Sequence, residues 1–339
     1  ADLDLSTNAL PDDVIKLAKA AGLKVIPTGV EHGTVTIIAQ SVPFEVTTFR
    51  KDIATDGRRA AVSFADNMTD DAQRRDFTMN ALYADPDGLL ADPLGGLDDL
   101  MARRVRFIDD PNARIQEDYL RILRFFRFHA WYGDPEGGLD AEGLAGCAAH
   151  VDGIDQLSRE RVGHEMRKLL AAPDPAPAVA AMEVVGVLLC VLPGASAAML
   201  AALVHIEVEA GLAPDPIRRL AMLGGEDAAS SLRLSKRETA DLAMLCDGIA
   251  IGMPADELGY RFGSRAMDVL ALRAAMSGMI IDTVQAESVE FGAKQIFSLR
   301  AADFMPDLEG PALGQALKRA EDRWIASGFS LTNDELLRD

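Results

Sequence analysis

Strand-like β-branched runs cluster in the first hundred residues of this 339-residue chain and are few after about residue 112, from where the chain reads as helix. That break constrains the fold more than any other feature, because strands and helices place apolar residues at different periods. In the first part, residues 35–38 and 44–49 read as strands, with a hairpin turn at 40–43. Residues 11–21 show helical spacing, with Val14, Leu17, Ala18 and Ala21 on one face. Residues 82–83 and 89–90 flank Asp85-Pro86-Asp87-Gly88, a second hairpin signal. The polar stretch 51–75, with Asp56-Gly57 as a turn, reads as a mobile connection. In the second part, breaks fall at 173–177, 193–194, 214–216 and 253–254. Ser158 reads as an N-cap, and Ser235 with Glu238 and Thr332 with Glu335 as capping boxes. No period of 20–50 residues repeats. The expected fold class is α+β, a small mixed-sheet head followed by an all-α remainder.

Charge and cysteine usage narrow the function classes. Thirty-four basic residues against 53 acidic ones leave −19, which argues against coating nucleic acid through bulk charge. Cys147, Cys190 and Cys246 lie far apart, which fits a reducing compartment and argues against a cysteine zinc site. The longest apolar stretch, 178–192, contains Glu183 and falls short of the ~20 residues that a membrane span needs. It reads as one buried helix. The chain opens on Ala1, and residues 1–5 read as the end of a strand, so further residues are expected upstream.

Several acids and arginines are placed to do chemistry. Asp2 and Asp4, at i and i+2 on a strand, project from one face about 7 Å apart. Such a pair suits Mg²⁺ and two-metal phosphoryl transfer, although the spacing alone also fits solvated loop acids. Glu45 interrupts a β-rich run, either as an edge-strand charge or as a third carboxylate beside that site. Arg74 and Arg75 suit phosphate, and Asp76 and Asn80 suit a ribose or a neighbouring arginine; a surface ion-pair cluster fits the same residues. His32 reads as support for the turn entering a strand, Trp131 and Tyr132 as packing residues, and Glu160 and Arg161 as struts between head and helices.

The stretch 114–127 is the most informative. Arg121, Arg124 and Arg127 recur every three residues along one helix, with Asp118 one turn before Arg121. Between residues 101 and 127, seven arginines face four acids, a local reversal of the chain's charge where a phosphate would go. A helix laced with ion pairs also fits. Asp118 only accepts hydrogen bonds and Arg121 only donates them. Cytosine (N4 donor, N3 acceptor) and adenine (N6 donor, N1 acceptor) match that pair, whereas guanine and uracil present the reverse order. Each mismatch would cost roughly 1–3 kcal/mol.

These pieces occur in a telling order. Asp-x-Asp at 2–4 and His-Gly-Thr-Val at 32–35 precede Phe-Glu-Val-Thr-Thr-Phe-Arg at 44–50. Arg-Arg-Asp-Phe-Thr-x-Asn-Ala at 74–81, Glu-Asp-x-Leu-Arg-Ile-Leu-Arg at 117–124 and Leu-Ser-Arg-Glu-Arg at 157–161 follow. Together with 310–314 and 324–337, they resemble the class II tRNA nucleotidyltransferases, the CCA-adding enzymes and related bacterial poly(A) polymerases. The resemblance implies a DNA polymerase β-like catalytic head over 1–110, a helical neck reading the base over 111–172, and a tRNA-binding body and tail over 173–339. It implies that Asp2 and Asp4 bind two Mg²⁺ ions with Glu45 as third carboxylate, and that Arg75 binds the nucleotide. Asp118 and Arg121 would read the base, and Arg124 and Arg127 would complete the nucleotide site. The implied partners are CTP, ATP and the tRNA acceptor end, in the cytoplasm and with no membrane. An acidic chain without a basic C-terminal extension favours CCA addition over poly(A) synthesis. An A-adding tRNA enzyme and a non-catalytic RNA-binding protein are the alternatives. One departure is plain: the family's Gly-Gly-x-Val-Arg-Asp element before Asp-x-Asp is not in this sequence, again as if residues precede Ala1.

Overall fold

The computed structural model describes residues 4–27, 29–56, 59–305 and 308–338, with backbone alone at 52–56 and 59–62. The chain forms two compact units, Ala1–Ser196 with Gly225–Arg233, and Ala197–Gly224 with Leu234–Asp339. The α+β expectation holds, with strands confined to the start of the first unit and helices filling the rest.

The first unit begins with β1 (Asp4–Thr7), α1 (Pro11–Ala20), β2 (Lys24–Ile26), β3 (Thr34–Ala39) and β4 (Val42–Thr48). These strands make a mixed sheet in the order β1-β4-β3-β2, with only β1 and β4 parallel. Helix α1 starts where Pro11 needs no N–H partner and Asp12 and Asp13 face the positive end of the helix dipole. Val14 and Ala18 are buried, but Leu17, assigned to the same face by periodicity, is 66% exposed. The β3–β4 turn is tighter than expected, two residues, with Gln40 and Ser41 both at positive φ as hairpin twist requires.

Stretch 51–75 departs from its expected reading as a mobile connection. Its backbone forms the antiparallel hairpin β5 (Arg50–Asp56) and β6 (Arg59–Phe64), with a register shift between Asp52 and Ala54, followed by α2 (Met68–Gln73). The β-branched residues Ile53, Thr55 and Val62 carried that signal, but the charges between them masked it. Asn67 caps α2 by accepting from the Asp70 N–H. The second hairpin is where it was expected, as β7 (Tyr83–Ala84) and β8 (Leu90–Ala91).

Helices then take over with α3 (Gly96–Met101), α4 (Pro111–Glu117), α5 (Leu120–Tyr132), α6 (Ala141–Ala149) and α7 (Arg159–Leu170). Phe77 and Phe107 bridge two extended segments, and their rings pack at 5.0 Å. Phe125 stacks on Phe107 at 5.4 Å, and Phe128 meets Phe77 at 5.1 Å. Fully burying each such ring stabilises by roughly 1.5–3 kcal/mol, so the aromatic face of α5 fixes its arginine stripe in place. Gly96 lets α3 lie against the turn at Thr78, since a Cβ there would sit 2.1 Å from the Thr78 carbonyl oxygen. Stretch 178–192 forms two helices rather than one, α8 (Ala176–Val184) and α9 (Val187–Val191), because Gly186 takes φ +82° between them.

The chain next builds α10 (Leu200–Glu209) and α11 (Pro216–Leu223) of the second unit and returns to the first with α12 (Ala228–Ser231). It finishes in the second unit with α13 (Lys236–Ala250), α14 (Ala255–Phe262), α15 (Ala266–Ser277), α16 (Thr283–Ala293), α17 (Gly310–Ala326) and α18 (Asn333–Leu336). Both expected capping boxes are formed. Gly259 and Gly292 let α14 and α16 approach backbone to backbone, as a Cβ on Gly292 would lie 1.8 Å from the Asp256 oxygen. The core of this unit contains a closed ion set. Glu207 accepts from Arg218 at 2.8 Å and from Arg219 at 2.7 Å; Arg218 also pairs with Asp268, and Arg265 reaches Asp268 and Asp215 at 2.7 Å. Arg218, Arg219 and Glu207 are at most 2% exposed.

Among the described residues, no helix is long and apolar enough to cross a membrane. Removing one member of a buried pair strands the others, so Glu207→Ala is expected to lower stability by about 3–5 kcal/mol in urea melts.

Candidate functional site

Alternation along paired strands builds one wall of a cavity of about 610 Å³ in the first unit. Asp4 on β1 lies in register with Glu45 on β4, and Ser6 with Thr47. Residues i and i+2 share a face, so both acids and the hydroxyls of Ser6, Thr34 and Thr47 line the cavity. The Thr34 and Thr47 hydroxyls meet at 3.1 Å. Asp2 lies outside the described residues. Among the described residues, no three acids, histidines or cysteines gather as a metal cluster. Asp4 and Glu45 therefore stand as a pair of hard oxygen donors, the chemistry that Mg²⁺ prefers.

Five arginines also line the cavity, interleaved with Asp71, Asp76 and Asp118. Arg50 donates to the His32 carbonyl oxygen at 2.8 Å, across the turn that His32 and left-handed Gly33 shape. Arg74 and Arg75 follow α2 and share the Asp71 carboxylate, at 2.9 and 3.3 Å. Arg75 also donates to the Asn80 carbonyl oxygen and lies 5.1 Å over the Tyr83 ring. Asp76 accepts from the Asn80 amide at 2.9 Å and from Arg124 at 2.5 Å, so it orients a neighbouring arginine as its position suggested.

The break between α4 and α5 sets the placement of Asp118 and Arg121. Asp118 is extended there (φ −154°), so its side chain escapes the helix and accepts from Arg161 at 2.6 Å. Arg121 donates to Glu117 at 2.5 Å, to the Arg114 carbonyl oxygen at 2.7 Å and to the Arg74 carbonyl oxygen at 3.1 Å. Arg114 in turn bonds Glu117 and the Arg75 carbonyl oxygen. Asp4, Glu45, Arg75, Asp118, Arg121 and Arg124 thus line one cavity. Arg127 is not among its lining residues: its guanidinium meets buried Glu165 of α7 at 2.5 Å and covers the Phe128 ring. The helical advance of 100° per residue turns it away from Arg121 and Arg124. Glu160 and Arg161 were expected as struts to the head, but Glu160 pairs with exposed Arg233, and Arg161 joins α7 to Asp118 at the end of α4, one helical segment to another.

Sequence reasoning gave no role to Arg50, Asp71 or Glu117, although Arg50 and Glu117 stand inside motifs that were noticed and Asp71 stands beside one. Burial raises the pKa of Asp71 and of Asp76, but Arg74 (for Asp71) and Arg124 with Asn80 (for Asp76) outweigh it and hold both carboxyls below the ordinary aspartate range. Burial, with the bond to Asp71, pushes Tyr83 up to about 12.

Residues 1–106 match the family described as "Poly A polymerase head domain", and residues 139–199 match "Probable RNA and SrmB- binding site of polymerase A". The human protein named CCA tRNA nucleotidyltransferase 1, mitochondrial, is 41% identical over 170 residues, which are 50% of this chain and 39% of that protein. A CCA-adding enzyme of Geobacillus sp. is 37% identical over 190 residues, 56% of this chain and 45% of that one. The matches thus span less than half the length of these curated relatives. The crystal structure of the Bacillus stearothermophilus CCA-adding enzyme in complex with CTP aligns over 97% of this chain and 84% of that one, at 27% identity and a TM-score of 0.75.

The lowered carboxyls make a pH prediction. A group whose folded pKa lies below its unfolded value stabilises fully above that unfolded value, near ~4, and loses this as pH falls through the folded value. Urea melts from pH 7 to pH 3 are expected to show stability falling below pH ~4. Asp76→Asn is expected to flatten that acid limb and cost about 1–3 kcal/mol at pH 7.

Proposed function

Because the chain belongs to the family of CCA-adding tRNA nucleotidyltransferases and poly(A) polymerases, we propose that it adds C, C and A to tRNA 3′ ends from CTP and ATP without a template. The observation that carries this reading is a single cavity with Asp4 and Glu45 on its sheet wall and Asp118 and Arg121 on its helical wall. Asp4 and Glu45, with Asp2, would hold two Mg²⁺ ions, which when bound lower the pKa of the RNA 3′-hydroxyl and offset charge on the departing pyrophosphate. The transfer forms a bond from the 3′-oxygen to the α-phosphorus and breaks that atom's bond to the bridging oxygen, with the hydroxyl proton lost to water.

The chain's own residues position the reactants. Arg50, Arg74 and Arg75 present guanidinium groups to the triphosphate, and Arg124, held by Asp76, lies beside them. Asp118 accepts from the N4 amino group of cytosine or N6 of adenine, while Arg121 donates to N3 or N1. Arg127 serves this site from outside, by holding α5 against α7 through Glu165. Residues 1–110 act as catalytic head, 111–172 as base-reading neck, and 173–339 as the tRNA-binding body and tail. The overall charge of −19 favours a defined tRNA substrate over indiscriminate gripping of RNA tails. The free cysteines fit a reducing compartment, and we place the protein in the cytoplasm.

The test supplies Mg²⁺, four nucleoside triphosphates and tRNA ending at the discriminator base, and sequences the product ends. Ends stopping at C-C-A are expected. Long A tails would make it a poly(A) polymerase, a single A added only to tRNA ending in C-C an A-adding enzyme, and no extension by folded protein an RNA-binding module. Asp4→Ala is expected to cut transfer by about a hundredfold or more while sparing RNA binding. Arg121→Ala is expected to relax discrimination against GTP and UTP by roughly tenfold; unchanged selectivity would remove Arg121 from base reading.

A further inference from the structure

We propose that Asp71 is the positioning residue that sets both the triphosphate arginines and, through them, the base-reading Arg121. The proposal rests on the nucleotidyl-transfer reading of the same cavity. Asp71 stands on α2, and its side chain is only 3% exposed. A carboxylate offers about four acceptor positions, and donors fill all four. Oδ1 accepts from the Arg50 backbone N–H at 3.2 Å and from Arg74 Nε at 2.9 Å. Oδ2 accepts from Arg75 Nη2 at 3.3 Å and from the Tyr83 hydroxyl at 2.8 Å. The donors come from the root of the β5–β6 hairpin, the end of α2 and strand β7, so one buried charge joins three separate stretches of chain.

The same two residues that Asp71 pins by their side chains receive the helical wall by their backbones. The Arg74 carbonyl oxygen accepts from Arg121 Nη2, and the Arg75 carbonyl oxygen accepts from Arg114, which shares Glu117 with Arg121. Shifting the 74–75 segment therefore displaces the phosphate-facing guanidinium groups and the donor that reads the base together. Arg75 makes the longest of the four bonds, so an incoming phosphate oxygen competes for it most readily, while Arg74, Tyr83 and the Arg50 N–H keep Asp71 in place.

Asp71→Asn places an amide donor among groups that all donate, and so releases the arginines. The whole chain is assayed with Mg²⁺, CTP, ATP, GTP and UTP on tRNA lacking its C-C-A end. The expected result is KM for CTP and ATP raised about tenfold with a smaller change in kcat, and GTP and UTP incorporation relative to CTP and ATP raised about fivefold. Tyr83→Phe removes one donor and leaves the charge, so it is expected to shift both readings the same way by about twofold. A protein that is merely less stable loses kcat in proportion to its folded fraction but keeps its KM and its base ratio. KM and ratio unchanged in Asp71→Asn overturn the proposal; if that variant does not fold, unchanged values in Tyr83→Phe overturn it. Equilibrium titration with ATP and Mg²⁺ reads the affinity loss without turnover. A wild-type chain that binds ATP but extends no RNA defeats the transferase reading alone, and unaltered ATP affinity in the Asp71 variant defeats this one.

Discussion

Arginines that face a common cavity repel one another until an anion arrives, and they must be aimed before it does. This structure meets that constraint by setting four of its cavity arginines against acids. Asp71 takes Arg74 and Arg75, Asp76 takes Arg124, and Glu117 takes Arg121. Asp71 and Asp76 are buried, where an unmatched charge of either sign is costly, so each acid and its arginine secure one another. A site of this kind holds its donors at the cavity before a polyanion enters, so that they are already positioned when it arrives.

The pairing works only if the walls are rigid, and aromatic packing makes them so. Helix α5 has two characters. Phe125 and Phe128 lock one side into the rings of Phe77 and Phe107, Phe126 packs on Phe125, and Arg121 and Arg124 leave from another side. Phe77 directly follows Asp76, so a single extended segment anchors the ring cluster and the acid that orients Arg124. The sheet wall is organised independently, through the parallel register of β1 with β4 that sets Asp4 beside Glu45.

Much of this was legible because the governing signals are local. The i, i+2 alternation around Glu45, the arginine spacing in α5 and the Ser235 and Thr332 caps each depend on a few adjacent residues. What escaped depends on distance or on the competition between signals. Charges hid the β5–β6 hairpin, whose strands pair across a turn. Gly186 divided an apolar stretch whose periodicity showed no break. The roles of Asp71 and Arg161 come from partners up to 43 residues away, which no local pattern encodes. Arg127 misled for the opposite reason, since a regular spacing of three drifts around a helix and carried it to Glu165.

The ion set in the second unit bears on how such a chain is able to change through time. Arg218, Arg219 and Arg265 are matched there by Glu207, Asp268 and Asp215, and the bonds interlock so that no pair stands alone. An apolar cluster of similar volume would hold the helices at least as well. Yet every route to it by single replacements passes through a form with one stranded charge inside the fold. Single replacements at the buried positions Arg218, Arg219 and Glu207 are therefore costly even where a joint replacement is not.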